Sequence, residues 1–181
     1  QTDSSVHLRQ EQFFIGDHPS SDALWPIPLD ATCSELPTVL DEREMTATRT
    51  HTSLLQLNKH DSAHFVTHYI ENLRQPLLEA VASNELDTVS RLSLLNEATL
   101  LARGSYISSA DLLPYLKSYA HESSEPVWGI MALTLAELRK FVEQDTEAER
   151  RLRLLSGNVA REQYEKLGWQ QREHESEEET K

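Results

Sequence analysis

The sequence predicts an α+β fold, mainly α: a small antiparallel β-sandwich over residues 1–69, then stacked antiparallel helix pairs, solenoid-like, over residues 70–181. Two changes along the chain carry this expectation. Up to Tyr69 the apolar residues alternate, or come in short runs broken by Pro, Gly and Asp, as half-buried strands do. Beyond Tyr69 they recur every three or four residues, the period of a helix with one buried face. Links of only a few residues separate these helical stripes, which makes successive helices antiparallel neighbours. No fixed repeat length emerges, so no named repeat array is supported.

Taken in order, Val6, Leu8 and the Phe13-Phe14-Ile15 run predict a first strand that ends in a turn at Gly16-Asp17. Leu24 to Leu29 predicts a second, confined to an edge because Pro26 and Pro28 cannot donate to a ladder. Thr38 to Thr50 alternates with β-branched residues, Ser53 to Leu57 continues that pattern, and Phe65 to Tyr69 closes the set. The first helical stripe is Leu73, Leu77, Leu78 and Val81, with Asn72 as cap and Pro76 tolerable only in the first turn. Asp87 caps a second helix carrying Leu92, Leu95, Ala98 and Leu101-Ala102, with Gly104 as its stop. Ser108-Ser109-Ala110-Asp111 is a capping-box-like start for a third, through Leu112, Tyr115, Leu116 and Tyr119, shortened or kinked by Pro114. A fourth begins near Ser124-Glu125-Pro126 and carries Val127, Ile130, Met131, Leu135, Leu138 and Val142. A fifth runs from about Asp145 through Leu152, Leu155, Val159 and Tyr164 to Leu167, bends at Gly157 and stops at Gly168.

Composition excludes several functions. At 181 residues the chain can bury a sizeable core. A net charge of −13 argues against nucleic acid, whose phosphates need clustered Lys and Arg, and against an anionic membrane surface. Glu173, Glu175, Glu177, Glu178 and Glu179 crowd one solvated tail. No apolar run is long enough to span a bilayer. A single cysteine, Cys33, cannot close an internal disulfide, so a cytoplasmic location is expected. The polar start Gln1-Thr2-Asp3-Ser4-Ser5 has neither an initiator Met nor an apolar signal core, as in a cut within a longer chain.

Several strings resemble the non-catalytic C-terminal half of the gluzincin (M1) zinc aminopeptidases. Val6 to Phe14 is similar to that family's first sandwich strand, Trp25-Pro26-Ile27-Pro28-Leu29 to its W-x-I-P-L strand, and Leu55-Gln56-Leu57-Asn58 with Tyr69 to its L-x-L-N…Y pair. Val66 stands where the family usually has Arg, so no role of that Arg is carried over. Arg91 to Gly104, Leu112 to Trp128 and Tyr164 to Trp169 resemble three later helical strings. The wording of Phe13 to Asp17 and Trp25 to Leu29 leans towards the enzymes of lactic-acid bacteria. The resemblance implies a piece of a longer peptidase, with catalytic domains upstream and further helices downstream. It also implies zinc in the parent enzyme, peptides as the parent's substrates, and the parent's own catalytic domain as partner.

The chain itself has no H-E-x-x-H zinc helix and no G-A-M-E-N-type anchor for a peptide N-terminus, and no catalytic, cofactor or metal residues are assigned. His60, His64 and His68 would share a face on a helix, as zinc ligands can. On a strand, where the resemblance puts the last of them, His64 and His68 stand about 13 Å apart, too far for one ion. They are therefore expected at a surface or edge. His121-Glu122-Ser123-Ser124-Glu125 lacks a second histidine, and its carboxylates suit the first turn of the next helix. Trp25, Trp128, Trp169, Tyr115 and Tyr119 are expected in the core rather than along a groove. The function expected is a helical cap that limits access to a peptidase chamber. The alternative is a free-standing helical scaffold that binds protein partners. With no following helix, the stripe of Leu152, Leu155, Val159 and Tyr164 is expected to be exposed and to drive self-association.

Overall fold

A computed structural model describes residues 4–17, 21–49, 54–142 and 146–168. Strand β1 (Ser4–Arg9) pairs antiparallel with β4 (Glu44–Arg49), in register from Ser4 opposite Arg49 to Arg9 opposite Glu44. Between them, β2 (Ile27–Pro28) pairs antiparallel with β3 (Val39–Leu40). Val6, Leu29, Cys33, Leu36, Leu40, Ala47 and Leu55 form the core under these two small sheets.

The strands are shorter than the alternation predicts, because one buried side chain redirects the ladder. Gln10 Nε2 donates to the carbonyls of Trp25, Leu40 and Glu42, at 3.0, 3.3 and 3.0 Å, and Gln10 Oε1 accepts from Trp25 N. Those carbonyls are thereby bound to a side chain, and β1 ends at Arg9 rather than at Ile15. Phe13 stacks on Tyr106 instead, and Phe14 N donates to the Tyr106 hydroxyl. The strand expected over Thr38 to Thr50 divides into β3 and β4 around Asp41 to Arg43. Leu54 to Leu57 and Phe65 to Tyr69 are not strands. Thr50 and Ser53 lie outside the described residues.

The described helices follow from Glu71 onward. Helix α1 (Glu71–Ala82) starts at Ile70, without a side-chain cap, so Asn72 lies within the helix and Pro76 within its body. The Ile70 carbonyl accepts from Leu73 N and Arg74 N, which fixes the start earlier than Asn72 would. Helix α2 (Thr88–Arg103) is capped by Asp87, whose side chain accepts from Ser90 N. It stops at Gly104, where a Cβ would lie 2.8 Å from the Tyr106 ring and 2.9 Å from Phe14 O. Gly104 has φ −80°, so close approach and not a left-handed backbone requires glycine there. Ser108 forms a capping box with Asp111 over a 3₁₀ turn (Ser109–Asp111), and the short α3 (Leu112–Ser118) follows with Pro114 in its first turn. Helix α4 (Glu125–Val142) packs on α2, and α5 (Thr146–Leu167) packs on α4 and ends at Gly168, φ +69°. The start expected near Asp145 lies outside the described residues.

Leu77, Leu95, Leu112, Leu116, Val127 and Met131 are fully buried at the centre of the helical core, which meets the β core at Leu73. Val159 is buried, with Leu152 and Leu155 packed against the same core, so the stripe expected to be bare is largely covered. Tyr164 is exposed as expected. The other large apolar side chains exposed on α4 and α5 are Leu133 (61%), Phe141 (71%) and Leu154. Among the described residues no helix is long and apolar enough to cross a membrane.

Candidate functional site

The tempting histidines do not converge. His60 N and Nδ1 both meet Asp30 Oδ2, at 3.1 and 2.7 Å, and the His60 hydrogen bond holds the Asp30 carboxyl below its ordinary range. His64 and His68 are exposed elsewhere on the same segment. What this segment builds is a tight loop. Asn58 and Asp61 adopt left-handed φ of 52° and 50°, a conformation their side chains tolerate better than most. The buried Asn58 amide clasps both ends of Ala63, accepting from its N at 3.0 Å and donating to its O at 2.7 Å. Tyr69 then accepts from Leu57 N at 2.8 Å, which ties the segment's end back to its beginning. The L-x-L-N…Y residues are thus a loop lock.

The aromatics divide. Tyr115 and Tyr119 are buried as expected, and Trp128 is half-buried with its Nε1 donating to Glu122 O. Trp25 is 44% exposed, contrary to the core position expected for it, because Gln10 grips its backbone and leaves the ring outside. Trp169 lies outside the described residues. Cys33 is buried and donates its thiol to Glu35 Oε2 at 3.2 Å.

The strongest polar constellation joins α2 to the approach of α4. Arg91 Nε and Nη2 meet the two oxygens of Glu122 at 2.7 and 3.0 Å, a bidentate pair buried on both sides. Arg91 Nη1 also donates to Leu86 O, and Tyr119 donates its hydroxyl to Arg91 O at 2.6 Å. Glu122 Oε1 accepts from Ser123 N and Ser124 N, and so does serve the start of α4. Burial pushes the Glu122 carboxyl up, but Arg91 and these two N–H groups outweigh it and hold the acid below its ordinary range. His121 Nδ1 meets Glu162 Oε2 at 2.6 Å, which links the same loop to α5. Sequence reasoning missed the Arg91–Glu122 pair. Its signal was two charges at the edges of apolar stripes, and nothing local joins positions so far apart.

An open groove of about 600 Å³ lies between the end of β4 and α1, bounded by Arg49, Leu54, Asn72, Pro76, Glu79 and Glu85 among others. Among the described residues no three His, Cys, Asp or Glu side chains are placed to hold a metal ion. The arrangement is that of a packed, internally tied body.

The family model for the ERAP1-like C-terminal domain matches residues 54–181. Along 97% of its length the chain is 33% identical to aminopeptidase N of Lactobacillus helveticus and 35% identical to aminopeptidase N of Lactococcus lactis subsp. lactis. The chain belongs to the M1 aminopeptidases, in their C-terminal region. A more distant member, aminopeptidase 2 of Candida albicans, is 24% identical over 91% of the chain. The chain spans about a fifth of the length of these M1 relatives, 21% of the two bacterial enzymes and 19% of the fungal one. Zinc, which the M1 family implies, does not fit the described residues: no three His, Cys, Asp or Glu side chains converge among them, and His60 and His121 lie on separate elements.

Proposed function

We propose that this chain is the non-catalytic C-terminal part of a zinc aminopeptidase that removes N-terminal residues from peptides in the cytoplasm. In this reading, residues 1–69 form a spacer domain and residues 70–181 a helical domain that caps the active-site chamber. The cap limits substrate access and excludes water, while zinc and its general base belong to the catalytic domain of the same polypeptide. The observation that carries the reading is the alignment of 97% of the chain with a fifth of each aminopeptidase N. That near-complete coverage favours it over a free-standing scaffold.

The test exchanges the matching fifth of the Lactococcus lactis enzyme for this chain, and in parallel deletes it. The hybrid is expected to keep the parent's discrimination between short and long peptides, and the deleted enzyme to lose it. Equal discrimination with and without the segment would refute capping. Alone, the chain is expected to hold no stoichiometric zinc and to leave amino-acid anilides intact, which metal analysis and a chromogenic assay check. We also propose that the exposed Leu133, Phe141 and Leu154 drive self-association of the isolated chain. Sedimentation at rising concentration is expected to show dimers, and L133E/F141E to return a monomer.

A further inference from the structure

One face of α2 is polar where a core helix would ordinarily be apolar. Ser90, Ser93 and Glu97 follow at spacings of three and four, so they line a single face. That face, with Leu94, meets Gln56, Leu57, Asn58 and Tyr69 of the loop-locked segment around a small, partly open pocket of about 20 Å³. The first residue of the row is satisfied: Ser90 Oγ accepts from Gln56 Nε2 at 2.7 Å and donates to Asp87 Oδ2 at 2.9 Å. The last is partly satisfied, with Glu97 Oε2 accepting from Thr67 N at 3.0 Å. The middle one is not. Ser93 Oγ is buried without a hydrogen-bond partner among the described residues.

A pocket of this size accommodates a single water, and a buried water needs two or more polar partners, which Ser93 and Glu97 provide on its wall. We propose that one water molecule occupies this pocket, bridging Ser93 Oγ and the Glu97 carboxyl, and that water and carboxyl together form a proton-linked latch between residues 65–69 and α2. Burial raises the Glu97 acid to about 7, with Asp61 adding to the rise, so the latch changes charge near neutrality. The titratable groups that face Glu97 are Asp61 and Tyr69 on the loop segment and Tyr115 on α3. None of these carries a positive charge, so none offsets the ionised form. When neutral, Glu97 can donate its proton to the water. When ionised, it accepts from both the water and Thr67 N.

The latch is independent of the proposed capping role. Its test is NMR on the isolated chain across pH 5 to 9, following the Thr67 amide and water-to-amide cross-relaxation. The Thr67 amide is expected to titrate with a midpoint of about 7, alongside a long-lived water signal. Ser93→Val fills the pocket and removes the hydroxyl. It should abolish the water signal and raise the midpoint by about half a pH unit or more, since the charged form loses a donor. Glu97→Gln should keep the water and remove the titration. A wild-type chain with no bound water, or a midpoint that Ser93→Val leaves unmoved, overturns the proposal. Should Ser93→Val fail to fold, the wild-type water signal and the flat Glu97→Gln titration decide it.

Discussion

Two carboxylates packed at α2 are shifted in opposite directions by their surroundings. Glu122 lies against the first turn, where Arg91 and two backbone N–H groups hold it ionised. Glu97 lies farther along the helix, against the loop-locked segment, where Thr67 is the donor residue, no cation is matched to it, and burial raises it to about 7. The difference shows that depth alone does not set the charge of a buried acid in this chain. Donor count and a matched cation decide it, because each donor stabilises the charged form that burial penalises. The Glu122 region is therefore a fixed clamp, and the Glu97 region a seam that responds to pH.

The largest effect is expected from breaking the clamp. Glu122→Gln leaves the Arg91 guanidinium buried without its counter-charge and should cost about 3–5 kcal/mol, read from urea unfolding at pH 7. Arg91→Met combined with Glu122→Gln should recover much of that loss, since an uncompensated charge is the main penalty. A single Glu122→Gln as stable as the parent would show that the pair contributes nothing. The wild-type acid here lies below its ordinary value, so its contribution is present above the unfolded value of 4.5 and lost as pH falls through the folded one.

Glu97 should show the opposite slope. Its folded value of about 7 lies above the unfolded 4.5, so the native state binds the extra proton between them. Stability from this group is full below about 4.5 and declines as pH rises through 7, by up to about 3 kcal/mol. Glu97→Gln should flatten this decline, leaving the variant more stable than the parent at pH 8 and near parity at pH 5. Thermal melts at the two pH values check it. If the parent gains stability between pH 5 and 8 and Glu97→Gln does not alter the slope, the contrast between the two acids fails.

These behaviours differ in how far the sequence foretells them. Caps are local, so Asp87, the Ser108–Asp111 box and the Gly168 stop could be read from a few residues each. Strand lengths could not, because Gln10 reaches across to Leu40 and Glu42 and ends the pairing from a distance. Trp25 is outside for the same reason: its backbone is claimed before its ring can turn inward. Asn72 resembles a cap, yet the Ile70 carbonyl starts α1 first. Glu97 sits in a polar row with Ser90 and Ser93, which reads as a solvated face, and only the unpartnered Ser93 hydroxyl marks it as special. Family strings did point to the right places. Asn58, Tyr69, Arg91 and Trp128 all belong to matched motifs, and all prove to be ties between elements.

A third carboxylate on the same helix separates the two causes. Asp87 caps α2 from the surface, accepting from Ser90 N at 2.9 Å and from Ser90 Oγ at 2.9 Å, with Arg91 a minor neighbour. The Ser90 N–H is the main influence holding it below the ordinary range. It therefore isolates what donors achieve with little burial and no bidentate cation. Asp87→Ala should cost about 1 kcal/mol, the usual loss for a capping side chain, and Asp87→Asn less, because the amide oxygen still accepts from Ser90 N. The pH profile separates them further: only the ionised Asp87 loses its advantage in acid. If Asp87→Asn were as costly as Asp87→Ala at pH 7, charge at the helix start would outweigh the hydrogen bond. Glu97, with Thr67 as donor and no cation, would then owe its raised midpoint to the missing charge partner, and adding a lysine opposite it would lower that midpoint more than adding a further N–H donor.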